Sequence, residues 1–83
     1  MNVRIHVRVI PRSGLLDPQG QAVAHALAAL GFPGVADVRI GKAIELTVDA
    51  VTPAAAEASV RSMCERLLAN PVTEDFIIQA EPA

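Results

Sequence analysis

The sequence predicts an α+β sandwich in which a four-stranded antiparallel sheet carries two helices on one face. Three observations lead there. Residues 3–9 alternate strictly, with Val3, Ile5, Val7 and Val9 set against Arg4, His6 and Arg8. That period of two belongs to a strand with one buried face. Two capping pairs, Asp17-Pro18 and Thr52-Pro53, each open a stretch with apolar residues at helical spacing. Alternating runs follow both helices, so the order is β-α-β-β-α-β. Both helices must bury a stripe, and each strand is apolar mainly on one side. A ferredoxin-like arrangement with strand order 4-1-3-2 satisfies both demands.

Each element has a local reason. Pro11, Ser13 and Gly14 end the first strand. Asp17 offers a carboxylate to the free N–H groups of a first helical turn, and Pro18 has its φ preset for that turn. Val23, Ala26, Leu27 and Leu30 form the stripe of the first helix. Gly31 suits a left-handed cap, and Pro33 forbids continuation. Val38 and Ile40 then alternate with Asp37 and Arg39, and Ile44, Leu46 and Val48 with Glu45, Thr47 and Asp49. With Gly41-Lys42 between them, the two runs suggest a hairpin with a type II′ turn. The rival reading is one long strand with a bulge at Gly41. In the second helix, Ala56, Val60, Met63, Cys64 and Leu67 face inward, and Arg61, Glu65 and Arg66 face solvent. Asn70 is placed to take a left-handed cap, and Pro71 stops the helix. The last strand runs roughly from Thr73 to Ala80, with Phe76 and Ile78 inward and Ile77 outward.

Composition narrows the function. The 83 residues are read as a single domain, 1–83. A chain of this size buries only about 60–65% of its unfolded surface, too little for a cleft between domains. A formal charge of −2 and only two Phe, with no Trp or Tyr, argue against nucleic acid. One cysteine excludes a disulfide framework and suits a reducing cytoplasm. No apolar run reaches the length of a membrane span, and Arg4, His6 and Arg8 interrupt any leader-like start.

The chemistry-bearing residues are scattered. His6, His25 and Cys64 fall on different elements, without metal-ligand spacing. Cys64 reads as a packed thiol of raised pKa, while His6 and His25 read as exposed polar residues. Adjacent Glu74 and Asp75 point to opposite sheet faces and form no pair. Gly41-Lys42 lacks the glycine run and following helix of a phosphate loop. Arg4, His6, Arg8, Glu45 and Thr47 occupy the outward positions where an RNA-binding sheet would display aromatics. The residues therefore describe a small interaction domain without an active site. The bare outer sheet face suits association with a second copy or a partner.

Four segments carry a family resemblance: Leu15 to Gly20, Asp37 to Lys42, Ile44 to Thr47, and Met63 to Val72 leading to Glu74-Asp75-Phe76. Together they resemble the PurS family, the small subunit of phosphoribosylformylglycinamidine synthase, over nearly the whole chain. Thr73 stands where that family more often has an apolar residue. The resemblance implies a non-catalytic subunit of a ligase in de novo purine biosynthesis. That enzyme converts formylglycinamide ribonucleotide, ATP and glutamine to the amidine. It also implies self-association to a dimer or tetramer and a bridge between synthetase and glutaminase subunits that helps ammonia pass. No cofactor is expected on this chain, since ATP and magnesium would be used by the synthetase subunit. The matched positions Asp17, Pro18, Gln19, Gly20, Arg39, Gly41, Lys42, Asn70 and Pro71 become candidate partner contacts. The alternative is a free-standing ferredoxin-like sensor that regulates a metabolic enzyme through a ligand at a dimer interface. On this reading, replacing Leu46 or Leu67 by Ala costs about 2–5 kcal/mol, as for core residues.

Overall fold

The computed structural model describes residues 1–15 and 17–81. Its elements are β1 (Asn2–Pro11), α1 (Pro18–Ala29), β2 (Lys42–Asp49), α2 (Pro53–Met63), one turn of π-helix (Cys64–Leu68) and β3 (Glu74–Ala80). The sheet is antiparallel in the order β2-β1-β3. It has three strands among the described residues, not the four expected. The alternating first strand is central, as its burial on one face requires. His6 lies opposite Glu45 and Arg4 opposite Thr47 on one side, and Val9 lies opposite Phe76 on the other.

The core is the contact of β1 with α2. Val3, Ile5, Val7 and Val9 are buried, and Ala56, Val60 and Cys64 of the helix are fully buried against them. Spacing of four places these three on one helical stripe. Ile44, Leu46 and Val48 of β2 and Phe76 and Ile78 of β3 pack at the margin and stay half-buried.

The expected hairpin at Gly41-Lys42 does not form. Residues 35–41 belong to no strand. The backbone a hairpin would use is engaged elsewhere, since the Ile40 amide donates to Asp17 Oδ2 at 2.9 Å. The Val38 carbonyl lies against Gly20, where a Cβ would overlap it. Lys42 and Ala43 instead pair with Val9 and Arg8 of β1. Gly41 is needed because a Cβ there would overlap the Val9 carbonyl.

The second helix ends differently from expectation. The Ala69 amide donates to the Cys64 carbonyl at 3.0 Å, closing an i to i−5 turn. The extra residue rotates everything after Cys64. Leu68 and Ala69 turn toward the core, and Leu67 is left 82% exposed. Leu67 is therefore not a core residue. No described residue other than Gly14 and Gly31 has a positive φ, so Asn70 is not a left-handed cap. It makes a side-chain turn instead, with Oδ1 accepting from the Val72 amide at 3.0 Å.

Among the described residues, α2 and the turn that follows it cover the sheet face. The first helix begins and ends as its sequence dictates. Asp17 Oδ1 accepts from the Gly20 amide at 3.0 Å. Gly31 at φ +97° lets Phe32 donate to Leu27 and Gly31 to Ala28, a Schellman ending. Yet Gly20 is its one buried residue. The radius of gyration is 16.2 Å and the extents are 50 × 26 × 14 Å. A compact chain of this length would have a radius of gyration near 12 Å. Ten residues of β1 span about 34 Å, so α1 and the segment returning from it project beyond the sheet as an arm.

Three outcomes check this account by denaturation. Ile5→Ala is expected to cost about 2–5 kcal/mol, whereas Leu67→Ala costs under about 0.5 kcal/mol. Thr52 Oγ1 accepts from the Ala55 amide at 3.1 Å, so Thr52→Ala costs about 1 kcal/mol. The Gly20 amide first, and the Ile40 amide second, hold the Asp17 carboxyl below its usual 3.8. Its stabilisation is thus present above that value and lost as pH falls through the lower folded one. The Tm difference between wild type and Asp17→Ala should shrink on acidification below pH 3.8.

Candidate partner-contact surface

The structure brings the matched segments 17–20, 39–42 and 68–72 to one end of the sheet, where β1 ends and β2 and β3 begin. Hydrogen bonds tie them together. Asp17 holds residue 40 from the arm side, as described. Lys42 Nζ, at the start of β2, donates to the Leu68 carbonyl at 3.1 Å, one of the acceptors left near the end of the π turn. Arg12, just past β1, donates from Nη2 to the Pro71 carbonyl at 2.6 Å and lies 3.4 Å from Asp75. The Asn70 amide donates to Glu74 Oε1 at 2.8 Å.

Most of the nine candidates therefore have an internal task. Asp17 joins the arm to residue 40, Gly20 and Gly41 permit close backbone approach, Lys42 and Pro71 fasten the helix end, and Asn70 makes the turn into β3. Pro18, Gln19 and Arg39 are exposed. Their side chains make no hydrogen bond or ion pair among the described residues. Leu16, within the first matched segment, lies outside the described residues. A cleft of about 480 Å³ opens beside this joint, and Arg12, Arg39, Asp17 and Asp37 are among the residues that line it. Its charges balance.

The remaining titratable groups lie apart. Cys64 is fully buried, and burial pushes its thiol up, with Glu65 adding and Arg61 opposing. His25 is exposed on α1. His6 stands on the outer sheet face, its Nδ1 3.5 Å from Glu45 and its Nε2 3.3 Å from Glu81. Arg4 also reaches Glu81, at 3.7 Å. Ile77 is exposed on the same face. Sequence reasoning missed Arg12 and Glu81. Nothing marks Arg12 in advance. Glu81 was detectable, because it continues the outward series Asp75, Ile77, Gln79 by one more period of two. Arg61, expected at the solvent face, is exposed and lies over the Phe76 ring at 5.8 Å from its centroid.

Comparison with known proteins gives the surface its context. The sequence model of the PurS family, described as phosphoribosylformylglycinamidine (FGAM) synthase, matches residues 4–82. The synthase subunit PurS of Bacillus subtilis is 44% identical over 78 residues, covering 94% of this chain and 92% of its own. Its structure in a C2 crystal form superposes with a TM-score of 0.87 at 43% identity, over 99% of this chain and 100% of that one. A chain in the structure of PurLQS from Thermotoga maritima superposes with a TM-score of 0.89 at 31% identity, over 98% and 99%. An end-to-end match in sequence, arm and sheet included, leaves one assignment: the chain belongs to the PurS family of phosphoribosylformylglycinamidine synthase subunits.

Proposed function

We propose that this chain is the non-catalytic small subunit of a phosphoribosylformylglycinamidine synthase in de novo purine biosynthesis. It bridges the synthetase and glutaminase subunits, associates with copies of itself, and helps ammonia pass from one active site to the other. The supporting observation is the likeness, over almost its full length, to a chain of the PurLQS structure. The dispersal of His6, His25 and Cys64 suits an adaptor. ATP and magnesium are used on the synthetase subunit, and this chain binds neither. No described helix is long and apolar enough to cross a membrane. We place the complex in the cytoplasm, where a free thiol such as Cys64 persists.

A bridge acts by raising the local concentration of one active site at another. Glutamine-dependent turnover by the synthetase and glutaminase subunits should fall on the order of a hundredfold when the chain is left out at submicromolar protein. Turnover with ammonium in place of glutamine should survive in the synthetase alone. Equal glutamine-dependent rates with and without the chain would reject the bridge. Among the nine candidates, exposed Arg39 is the one to test for contact. Arg39→Glu should weaken co-purification with the partner subunits at unchanged Tm, while Lys42→Ala should lower Tm by releasing the Leu68 carbonyl.

A further inference from the structure

Most cations of this chain have a partner. Arg4 reaches Glu81 and Arg12 reaches Asp75, and Arg61 lies over Phe76. Arg8, Arg39 and Arg66 are exposed, and their side chains make no ion pair or hydrogen bond among the described residues. Two of these three, Arg8 and Arg39, line one hollow of about 500 Å³ beside the start of β2. Lys42 is on its wall as well. The Lys42 ammonium donates to a neutral carbonyl, so its charge stays uncompensated. Among the described residues, no Asp or Glu lines the hollow. Three cations thus share one wall in a chain whose formal charge is −2. Like charges gathered without counter-charges raise the local potential and draw an anion.

The fold explains why neither arginine is paired. Arg8 stands on the outer face of β1, opposite Ala43 of β2 and Ile77 of β3. Neither of those side chains has an acceptor. Two residues along the strand, Glu45 and Glu81 flank His6, and Asp75 is held by Arg12. Arg39 comes from the segment that returns to β2. It also borders the balanced cleft and adds to the field at Asp17. Both Asp17 oxygens, however, accept from main-chain amides. Gly41 has no side chain to fill the space between Arg39 and β2. The wall between the cations is apolar, formed by Val9, Ile10 and Ala43, and no hydroxyl or carboxamide side chain lines it among the described residues. A water takes about 30 Å³ of liquid volume, so the hollow is far larger than a bare anion needs.

We propose that Arg8 and Arg39 clamp a carboxylate on an acidic segment of a partner subunit, which rests an aliphatic side chain on Ala43 and the exposed Ile77 beside it. A guanidinium is a planar fork that matches a carboxylate with two parallel hydrogen bonds. The apolar wall suits the methylene stem of such a side chain and the residue next to it. A hydrated free phosphate gains nothing from that wall. Arg8 lies outside every segment that carries the family resemblance. The inference rests on the bridging role proposed above and names the chemistry of one of its contacts.

The test measures binding of the full chain to the synthetase subunit, to the glutaminase subunit and to both together, by interferometry. Arg8→Glu and Arg39→Glu should each raise the dissociation constant about tenfold or more at unchanged Tm. Arg8→Gln and Arg39→Gln replace them if either reversal lowers Tm. Arg66→Glu makes the same change of net charge at an exposed site on the π turn, and should alter the constant less than about twofold. Arg8→Lys, which keeps the charge without the fork, should bind between wild type and Arg8→Gln. Wild-type binding that neither Arg8 nor Arg39 variant weakens overturns the clamp and leaves the bridge standing. An equal loss with Arg66→Glu assigns the effect to bulk charge and also overturns the clamp. No binding of wild type in any combination overturns both readings. Calorimetry of the chain with inorganic phosphate and with ATP should show no heat. Heat that Arg8→Glu abolishes would make the hollow a free-anion site and overturn the proposal. Sedimentation should give the same oligomer for wild type and Arg8→Glu. Dissociation by that variant would make the occupant a second copy and overturn the proposal as well.

Discussion

The contact between the inner stripe of β1 and the stripe that Ala56 and Val60 of α2 form with Cys64 of the π turn holds the rest in place. It joins a period of two to a period near four across one apolar seam. Ile5, Val7, Val9, Val60 and Cys64 are the largest fully buried side chains. The flanking strands hydrogen-bond to β1, and the helix end is fastened to the sheet by Lys42 and Arg12. Because α2 is narrow relative to a three-stranded sheet, this seam closes over β1 and leaves β2 only partly shielded. The incomplete cover is a consequence of geometry, since one helix about 10 Å wide cannot blanket three strands spaced nearly 5 Å apart together with their side chains.

The second organising feature is the joint at the end of the sheet. Four backbone carbonyls or amides there are served by charged side chains, three of them from distant parts of the chain, Asp17 to residue 40, Lys42 to Leu68 and Arg12 to Pro71, and one local, Glu74 to Asn70. Each reaches a main-chain group that the local secondary structure leaves unpaired. Residue types that read as surface charge are thus committed to backbone groups, and glycines clear the way where two backbones meet. The segments in which the sequence resembles the family are in this sense architectural, which leaves the exposed Pro18, Gln19 and Arg39 as the outward part of the joint.

Much of this was legible in the sequence, and the misses have physical causes. The alternation of β1, both capping pairs, the Gly31 ending, the central place of β1 and the burial of Cys64 follow from local chemistry that tertiary contacts reinforce. The helix end was ambiguous because Leu67 and Leu68 are adjacent and identical. A regular helix favours the first inward, and a single π turn favours the second. The hairpin failed because two short alternating runs around a glycine look alike whether they pair with each other or not. The partner that decided the matter, Asp17, lies more than twenty residues away. The arm was hidden for a related reason. An apolar stripe announces that a helix will be covered but is silent on which chain supplies the cover.

That silence has a cost for the cell. A twelve-residue helix with no charged side chain has no gatekeepers against clumping. While nothing shields it, it invites promiscuous sticking and capture by chaperones or proteases.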